Sequence, residues 1–504
     1  MSQFNLVDDP WIPVRWKPEA GIDAPPLVSL RDAFALGDRI ADLAAAPHER
    51  ISLVRLLVCV AQAACGAPEN PDGWDGWGHD LPEAAPRYLD QWRDRFNLLG
   101  DGYRFLQVKL PRKPEPVPAS KLVPNFATGN NPTLNDHHGG EFRPLPPHRL
   151  AMALLSFQSF YPLYGAGYKG RGPCVDSNMV HTLLIGENLP HTVALNSLDQ
   201  ETINGHFPEF GRPVWELDLA GTAAERQATL SYLGRLVPQH RNLTLSDDGS
   251  GFHLVQQGFE YPAYEAAIEP TATVCLGRRA GKDAKVLLSA RLGRALWRDL
   301  HLVVALAESS MDGRRAPLVI QSHGQDIGDE RVSFWLGALV TDLKAKILDT
   351  VESGFTLPRS FLSPQGQKRY ENGVLFAEEL SRRVYGAVKT FATTLKHESA
   401  PVEAAQRHYW NALDRDSGIL LGMLGGIGTD GDPMGHWGFG ERHDDGSFDG
   451  WTVAARRAAM DAYEHACPRL TPRQLQAYAA GLRVLHRSPK KAAGKAAKQT
   501  TAKP

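Results

Sequence analysis

The sequence predicts an α+β fold in which a large mixed N-terminal domain is followed by a C-terminal four-helix bundle. Up to residue 362, short apolar segments alternate with turns and with single helical segments, a pattern typical of mixed helix and sheet. Beyond that point the apolar residues recur at helical spacing in four segments. We therefore expect a mixed domain at 1–362, a helical bundle at 363–487 and a disordered, lysine-rich tail at 488–504.

The N-terminal elements are predicted from local patterns. Ser29 precedes Leu30-Arg31-Asp32, which is an N-cap with an acidic residue at the third helical position. From residue 51 to 64 the apolar residues recur at helical spacing and indicate a buried helix. The other predicted elements are, in chain order, a strand with a turn over 4–14, a surface segment over 66–86, a strand over 104–108, a helix over 149–160, short strands and turns over 215–300 and a helix over 292–307.

Four amphipathic segments form the predicted bundle. They lie at 374–395, 402–413, 453–466 and 472–485. Thr471 before Pro472 is a favourable N-cap and first helical residue. A Gly- and Asp-rich insert, 424–450, interrupts the helices, and its acidic residues lack the spacing of an EF-hand calcium site.

Composition excludes several classes of protein. The formal net charge is −2, with 55 basic and 57 acidic residues, which argues against a nucleic-acid binder that works through a bulk positive field. Local basic patches remain possible. The five cysteines are scattered and form no CxxC pair, so we expect reduced thiols and no structural zinc. Neither a secretion signal nor a membrane span is evident, so we expect a cytoplasmic protein without membrane contact.

A long polar loop, residues 125–140, interrupts the patterned part of the chain. It is dense in Asn, Asp, His, Thr and Gly, and such loops often bind a partner. Asp136, His137 and His138 could instead hold a metal ion. Adjacent loop histidines without an HExxH or CxxC motif form a weak metal signature, and an ordinary surface loop is a third interpretation.

A second candidate is the glycine loop, Tyr164–Gly172. Its small residues would let the main chain approach a ligand closely, and Lys169 and Arg171 offer charge to phosphate. It lacks the third glycine of a dinucleotide fingerprint, and no P-loop motif is present. A tight turn between core elements is the simpler interpretation.

A third candidate is the segment 337–347. The spacing of its apolar residues predicts an amphipathic helix with Lys344 and Lys346 exposed to solvent. Across the chain, the motifs of the common serine hydrolases, metalloproteases, ATPases and kinases are missing, so no catalytic constellation is predicted.

Taken together, these pieces resemble the large subunit of Cascade, the type I-E CRISPR surveillance complex (the CasA family). The resemblance is carried by the opening Phe4–Val14, by the polar loop at Ala127–His138, by the glycine loop and by the helical C-terminal part. It implies a subunit without catalytic activity or cofactor. Such a subunit recognises the protospacer-adjacent motif in double-stranded DNA, helps start duplex unwinding and R-loop formation, and supports docking of the helicase-nuclease. The implied partners are the crRNA 5′ handle, the target duplex, the other Cascade backbone and small subunits and the helicase-nuclease.

The resemblance also assigns residues. Motif recognition in the DNA falls to Gly165, Ala166, Gly167, Tyr168, Lys169 and Arg171. A wedge between the first base pairs falls to Asp342, Leu343, Lys344 and Ala345. Contacts with crRNA and neighbouring subunits fall to Asn130, Asn131, Thr133, Leu134, Asn135, Asp136 and His137.

This chain departs from the family pattern at three points. The glutamine that often tips the wedge is replaced by Lys344, or the tip shifts to Leu343. The region that matches a lysine-bearing hairpin of some relatives, near 258–264, has no lysine, although Arg278, Arg279 and Lys282 follow it. The cysteines of a zinc site that some relatives carry beside the polar loop are missing.

Two alternatives stay open on the sequence. One is a metal-dependent nuclease that uses Asp136, His137 and His138. The other is a scaffold subunit that binds partners without touching DNA.

Overall fold

The chain forms two compact units, Met1–Gln367 and Lys368–Pro504. The computed structural model describes residues 3–21, 24–74, 76–110, 113–123, 141–161, 171–218, 222–255, 258–262, 268–279, 282–304, 315–323, 331–342, 347–397, 399–423, 439–443 and 446–486. Helices and small sheets alternate in the first unit and the second is helical, so the α+β prediction is confirmed. In the part of the chain described here, no helix is both long enough and apolar enough to span a membrane.

The strands all lie in the first unit of the described chain. They are β1 Phe4–Asn5, β2 Ile12–Trp16, β3 Leu27–Val28, β4 Ile40–Leu43, β5 Asn97–Leu99, β6 Val117–Pro118, β7 His181–Ile185, β8 Leu243–Leu245, β9 Gly251–Leu254, β10 Val274–Arg279, β11 Lys282–Leu287, β12 Arg331–Thr341 and β13 Ile347–Pro358. They pair into sheets of two or three strands.

The helices follow the same chain order. Those of the first unit are α1 Leu30–Ala35, α2 Pro47–Cys65, α3 Leu81–Gln91, α4 Pro147–Phe160, α5 Leu189–Leu195, α6 Gln200–His206, α7 Thr222–Leu230, α8 Tyr232–Leu236, α9 Leu300–Val303 and α10 Leu318–His323. The remaining four are α11 Pro364–Leu395, α12 Val402–Gly422, α13 Gly450–Ala466 and α14 Pro472–Leu485.

Helix α2 forms the centre of the first unit. Its residues from Pro47 to Gln62 are almost all buried, which confirms the buried helix predicted over 51–64. Pro47 occupies the first helical turn, and the Glu49 carboxylate accepts a hydrogen bond of 3.1 Å from the Ala46 amide. Helices α3, α4 and α8 and strand β12 pack against it. The predicted N-cap at Ser29 is also confirmed, because its hydroxyl accepts the Asp32 amide at 3.0 Å.

The longest strands, β12 and β13, form an antiparallel hairpin. Their register runs from Arg331 opposite Pro358 to Thr341 opposite Ile347, with an irregularity between Val340 and Thr341. The other edge of β12 pairs with β7, where Gly337 lies opposite His181. This sheet corrects the helix predicted over 337–347. Since nearly every residue of β12 from Phe334 onwards is buried, the alternation that marks a strand is lost from the sequence.

Two other predicted elements were wrong, and the segment 215–300 contains helices α7 and α8 besides the predicted short strands and turns. The strand over 104–108 is an irregular segment, because Leu106 adopts the left-handed region with φ 51°. The helix over 292–307 is reduced to a 3₁₀ turn at Leu296–Asp299 followed by α9. Gly293 has φ 71°, which a helix does not accept, and residues 305–307 lie outside the described part of the chain.

Buried aromatic side chains join the helices of the second unit. Tyr409 on α12 donates its hydroxyl to the Ala377 carbonyl of α11 at 2.7 Å. Trp451 on α13 donates its indole N–H to the Gly373 carbonyl of α11 at 2.9 Å. Each buried polar tip therefore fixes one helix against another while its ring fills the core.

The helical prediction for the C-terminal part is confirmed. Helix α14 has the predicted limits, and the Thr471 hydroxyl accepts the Gln474 amide at 3.2 Å as its N-cap. The predicted boundary at residue 363 lies directly before α11. That the bundle folds as a separate domain, and that the tail is disordered, stay predictions.

Candidate functional site

The segment that leads out of the glycine loop is held tightly against α4. We call residues 171–178 the exit segment. The Gly172 amide donates to the Tyr161 carbonyl at 2.9 Å, and the Cys174 amide donates to the Ser159 carbonyl at 3.0 Å. The chain that leaves α4 after Tyr161 therefore returns to the same place, so both ends of the intervening residues are fixed.

Gly172 permits this close return. A Cβ atom at this position would lie 2.3 Å from the Ser159 carbonyl oxygen and 2.9 Å from the Phe160 nitrogen. Both neighbours are main-chain atoms of α4, which cannot move aside as a flexible side chain could. The position thus requires glycine on steric grounds alone.

The exit segment ends at Asn178, which binds the last residue of β12. The Asn178 Nδ2 donates to the Thr341 carbonyl at 3.0 Å. Its Oδ1 accepts the Thr341 amide at 3.0 Å and the Thr341 hydroxyl at 2.8 Å. Both side chains are buried. One amide group therefore fixes both main-chain polar groups of the residue that precedes Asp342.

Asn178 also contacts the segment that follows β11. Its main-chain carbonyl accepts the Ala290 amide at 2.9 Å, and the Val180 amide donates to the Leu288 carbonyl at 2.8 Å. A small buried cluster supports these bonds, consisting of Met179, Ala272, Val274 and Leu287.

The short stretch 178–182 consequently lies between two hairpins. On one side it contacts β12 through Asn178 and through the β7 pairing. On the other side it pairs with the residues that flank the β10–β11 hairpin, with His181 opposite Ala272 and Met179 opposite Ser289. The exit of the glycine loop, the open end of the β10–β11 hairpin and the connection end of the β12–β13 hairpin thus meet in five consecutive residues.

His181 adds a buried connection within this stretch. Its Nε2 lies 2.8 Å from the Cys174 carbonyl, and its Nδ1 lies 2.7 Å from the Thr271 hydroxyl. Burial lowers the pKa of His181 to about 3, so the ring is neutral near pH 7. The carbonyl can only accept, so Nε2 carries the proton and Nδ1 accepts from the hydroxyl.

A buried ion pair anchors the chain just before β10. Arg55 on α2 pairs with Glu269, and both side chains are buried. The same guanidinium donates to the carbonyls of Leu236 at 2.9 Å and Arg235 at 2.7 Å. Burial together with the neighbouring charge of Arg55 lowers the pKa of Arg235 to about 10. Removing one partner of such a pair is costly, so the start of the β10–β11 hairpin is firmly fixed.

The tip of the β10–β11 hairpin is basic in sequence. Arg279 lies opposite Lys282 in the register, and Arg278 precedes them. The family resemblance placed the matching hairpin near 258–264, with these three residues downstream of it. The observed hairpin, β10 and β11, comes later in the chain and carries all three at its end.

Few of the predicted site residues lie in the described part of the chain. Arg171 is half-buried at the start of the exit segment, and Asp342 is exposed directly after β12. Gly165, Ala166, Gly167, Tyr168, Lys169, Leu343, Lys344 and Ala345 lie outside the described residues. The same is true of the polar-loop residues Asn130, Asn131, Thr133, Leu134, Asn135, Asp136, His137 and His138.

The structure connects the elements that carry two of these predicted groups. The sequence distance between Asn178 and Thr341 is 163 residues, yet their side chains are hydrogen-bonded. Sequence reasoning missed both residues, as well as His181. Only the turn-forming character of Asp176-Ser177-Asn178 could have pointed to the first of them.

Among the residues described above, no group of three or more His, Cys, Asp or Glu side chains is arranged to hold a metal ion. The five cysteines are all free thiols, and burial raises the pKa of the Cys174 thiol.

Comparison with known proteins identifies the family. The family model of CRISPR-associated protein Cse1 matches residues 5–465. CRISPR-associated protein CasA/Cse1 of Thermus thermophilus is 29% identical over 508 residues, which covers 92% of each chain.

Solved structures share the fold of this chain. A structure of Thermus thermophilus CasA (Cse1) is 24% identical, with a TM-score of 0.73 over 96% of this chain and 99% of that one. Thermobifida fusca Cse1 is 21% identical, with a TM-score of 0.71 over 96% and 97%. A chain of a CRISPR RNA-guided surveillance complex is 18% identical, with a TM-score of 0.71 over 96% and 100%. The resemblance predicted from the opening, the loops and the helical part is therefore confirmed, and the chain belongs to the CRISPR-associated Cse1 (CasA) family, the large subunits of type I-E Cascade.

Proposed function

We propose that this chain recognises the protospacer-adjacent motif in duplex DNA, starts strand separation and supports docking of the helicase-nuclease, without catalysing a reaction itself. The observation that carries the proposal is the meeting of three elements at residues 178–182. These elements are the exit of the glycine loop, the β12–β13 hairpin and the β10–β11 hairpin. A protein that reads a motif and opens the adjacent base pairs needs such elements side by side.

The glycine loop is the proposed motif reader. Gly165, Ala166 and Gly167 would bring the main chain against the minor groove, which is narrow and presents a degenerate pattern of donors and acceptors. Main-chain contacts, without side chains that recognise particular bases, discriminate only weakly between sequences in this groove. The fixed return at Gly172 supports this role, because a loop that recognises DNA must be held in place to discriminate between sequences.

The connection between β12 and β13 is the proposed wedge. Thr341 lies opposite Ile347, so the residues between them, which include Leu343 and Lys344, join the two strands of a long hairpin. Separating one base step costs on the order of a few kcal/mol. A wedge therefore needs a stiff support, and β12 is paired on both edges and buried along most of its length.

The basic tip of the β10–β11 hairpin is proposed to contact DNA phosphate. Arg278, Arg279 and Lys282 supply local positive charge in a chain whose net charge is −2. Guide RNA supplies sequence matching by base pairing, so this subunit needs only a local basic path for the duplex. The polar loop, with Asn130 to His137, is proposed to contact the crRNA 5′ handle and the neighbouring backbone and small subunits.

The proposal is tested with two lysine variants in assembled Cascade. Lys169→Ala and Lys344→Ala should each weaken binding of the target duplex while assembly is unaffected. Loss of one phosphate contact should also flatten the dependence of log affinity on log salt by about 1. The measurement is a filter-binding series at several salt concentrations.

A lysine on the helical unit provides the matched control. Lys389→Ala removes the same charge from an exposed position on α11 and should leave both affinity and salt slope unchanged. If both test variants bind the duplex with wild-type affinity and wild-type salt slope, these lysines do not contact DNA and the assignment is wrong.

A further inference from the structure

We propose that Asn178 is a positioning residue that couples motif reading at the glycine loop to strand separation at the β12–β13 connection. The inference rests on the function proposed above and adds a buried residue that lies outside the proposed DNA-contacting loops. It is carried by the geometry of one buried amide group.

The Asn178 side chain takes the place of a strand partner. At Thr341 the regular register of β12 and β13 is interrupted. The Asn178 amide donates to the Thr341 carbonyl and accepts its amide, both at 3.0 Å, as a paired main chain would. The Thr341 hydroxyl adds a third bond at 2.8 Å to the same oxygen. The position of the residue preceding the wedge is therefore set by the exit segment.

The backbone at this point is unusual. Ser177 and Asn178 both have φ 54°, in the left-handed region that few residues other than glycine, asparagine and aspartate adopt readily. The exit segment must turn this sharply for the amide to face Thr341. Main-chain bonding to Ala290 holds Asn178 from the other side, so it cannot shift independently of the β10–β11 hairpin.

These contacts connect a displacement of the glycine loop to the β12–β13 connection. The exit segment is continuous in sequence with the glycine loop, and it is pinned at Gly172, Cys174 and Asn178. If the glycine loop is displaced when it binds the duplex, the exit segment moves with it and the Asn178–Thr341 hydrogen bonds are strained. Thr341 is followed by Asp342 and the proposed wedge, so a displacement of Thr341 also moves the residues that separate the strands.

Asn178→Asp is the sharpest variant. Aspartate has the same shape and tolerates the same left-handed backbone, and it retains an acceptor for the Thr341 amide. It replaces the Nδ2 donor with a carboxylate oxygen that faces the Thr341 carbonyl, so one bond is lost and a repulsion is introduced.

A matched control exists at the opposite end of β7. Asn196 is equally buried and accepts the Leu184 amide at 3.1 Å while donating to the Leu184 carbonyl at 2.7 Å. Asn196→Asp therefore damages the same kind of clamp on the same sheet, but away from the glycine loop and from Thr341. Both variants should lower thermal stability, Asn196→Asp at least as much as Asn178→Asp, because the Asn196 Nδ2 also donates to the Thr192 carbonyl at 2.7 Å.

The experiment uses Cascade assembled with the wild-type, Asn178→Asp or Asn196→Asp chain. Motif-dependent binding is measured by filter binding, and opening of the first base pairs by the fluorescence of 2-aminopurine placed there. Each complex is given a closed duplex and a duplex whose first base pairs are already mismatched. Asn178→Asp should bind the motif within about twofold of wild type but open the closed duplex about tenfold or more slowly, as expected for loss of one buried hydrogen bond. On the mismatched duplex, Asn178→Asp should form the R-loop at the wild-type rate. Asn196→Asp should open the closed duplex and form the R-loop on the mismatched one at wild-type rates.

Other outcomes separate the two proposals. If Asn178→Asp opens the closed duplex at the wild-type rate, or if Asn196→Asp is slowed equally, Asn178 has only a structural role and the coupling is wrong. Equal slowing of Asn178→Asp on the mismatched duplex overturns the coupling as well. If the wild-type complex itself neither prefers the motif nor opens the duplex, the proposed function fails, whatever the Asn178 variant does.

Discussion

Gly172 is the residue whose replacement most directly tests the return of the chain from the glycine loop. Its missing side chain leaves room for the Ser159 carbonyl, which would lie 2.3 Å from an added Cβ atom. Gly172→Ala should therefore displace the exit segment or α4. Overpacking of this kind costs about 1–3 kcal/mol of unfolding free energy, measured by urea denaturation. Motif-dependent duplex binding by Cascade should fall in parallel.

A second glycine serves as the control for that substitution. Gly205 lies in α6, and an added Cβ would meet no atom within 4 Å beyond its chain neighbours and the backbone of its own helix. Gly205→Ala should leave stability unchanged or raise it by up to about 1 kcal/mol, because alanine favours a helix. A Gly172→Ala chain as stable as the Gly205→Ala chain would show that the close return is not required.

At the level of elements, the β12–β13 connection can be changed without disturbing its hairpin. Replacing residues 342–346 by Asn-Gly would close the pair Thr341–Ile347 with a two-residue turn. The paired residues of β12 and β13 are retained, so the midpoint of urea denaturation should not change. Cascade with this chain should still bind the motif but should fail to open a closed duplex, as reported by 2-aminopurine fluorescence.

The wedge assignment depends on that result. A duplex with mismatched first base pairs provides the control, because it needs no wedge and should form the R-loop at the wild-type rate. Normal opening of the closed duplex by the shortened hairpin would place strand separation elsewhere in the complex.

The elements also show what local sequence patterns can and cannot predict. Helices α2, α4 and α11 to α14 were predicted because one face or the whole surface is apolar at helical spacing, and caps such as Thr471 fixed their ends. Strand β12 was predicted as a helix, since burial on both faces removes the alternation on which strand prediction relies. The irregular segment at Leu106 was missed because tertiary contacts, rather than local propensity, select a left-handed backbone there.

The site was predictable only in part for a similar reason. Its loops were singled out by composition and by resemblance to a family, which needs no knowledge of the fold. The bonds between Asn178 and Thr341, and between His181 and Cys174, join residues without any motif. Only the three-dimensional arrangement brings them together.

At the scale of the whole molecule, we predict that the buried histidines make the protein less stable in mild acid. Burial lowers the pKa of His48 and His323 to about 4, and that of His181 and His240 to about 3. In the unfolded chain these groups titrate near 6.5. Between these values the unfolded state binds more protons, so stability is highest above about pH 6.5 and falls as pH decreases. Each such histidine contributes up to about 1.4 kcal/mol per pH unit.

Urea denaturation followed by tryptophan fluorescence at several pH values from about 7.5 to 5.5 checks this prediction. The unfolding midpoint should decrease steadily below about pH 6.5. A midpoint that is constant or rises over this range would show that these histidines are not buried in the neutral form.

At the scale of the whole molecule, we propose that this chain gives Cascade its ability to recognise the motif. The most direct measurement is binding of a library of motif-flanking duplexes, all matched to one guide, by Cascade assembled with and without this chain. The complete complex should select a small set of related motifs, and the complex without the chain should lose that preference while still pairing with a single-stranded target. The same motif preference in both complexes would contradict the account.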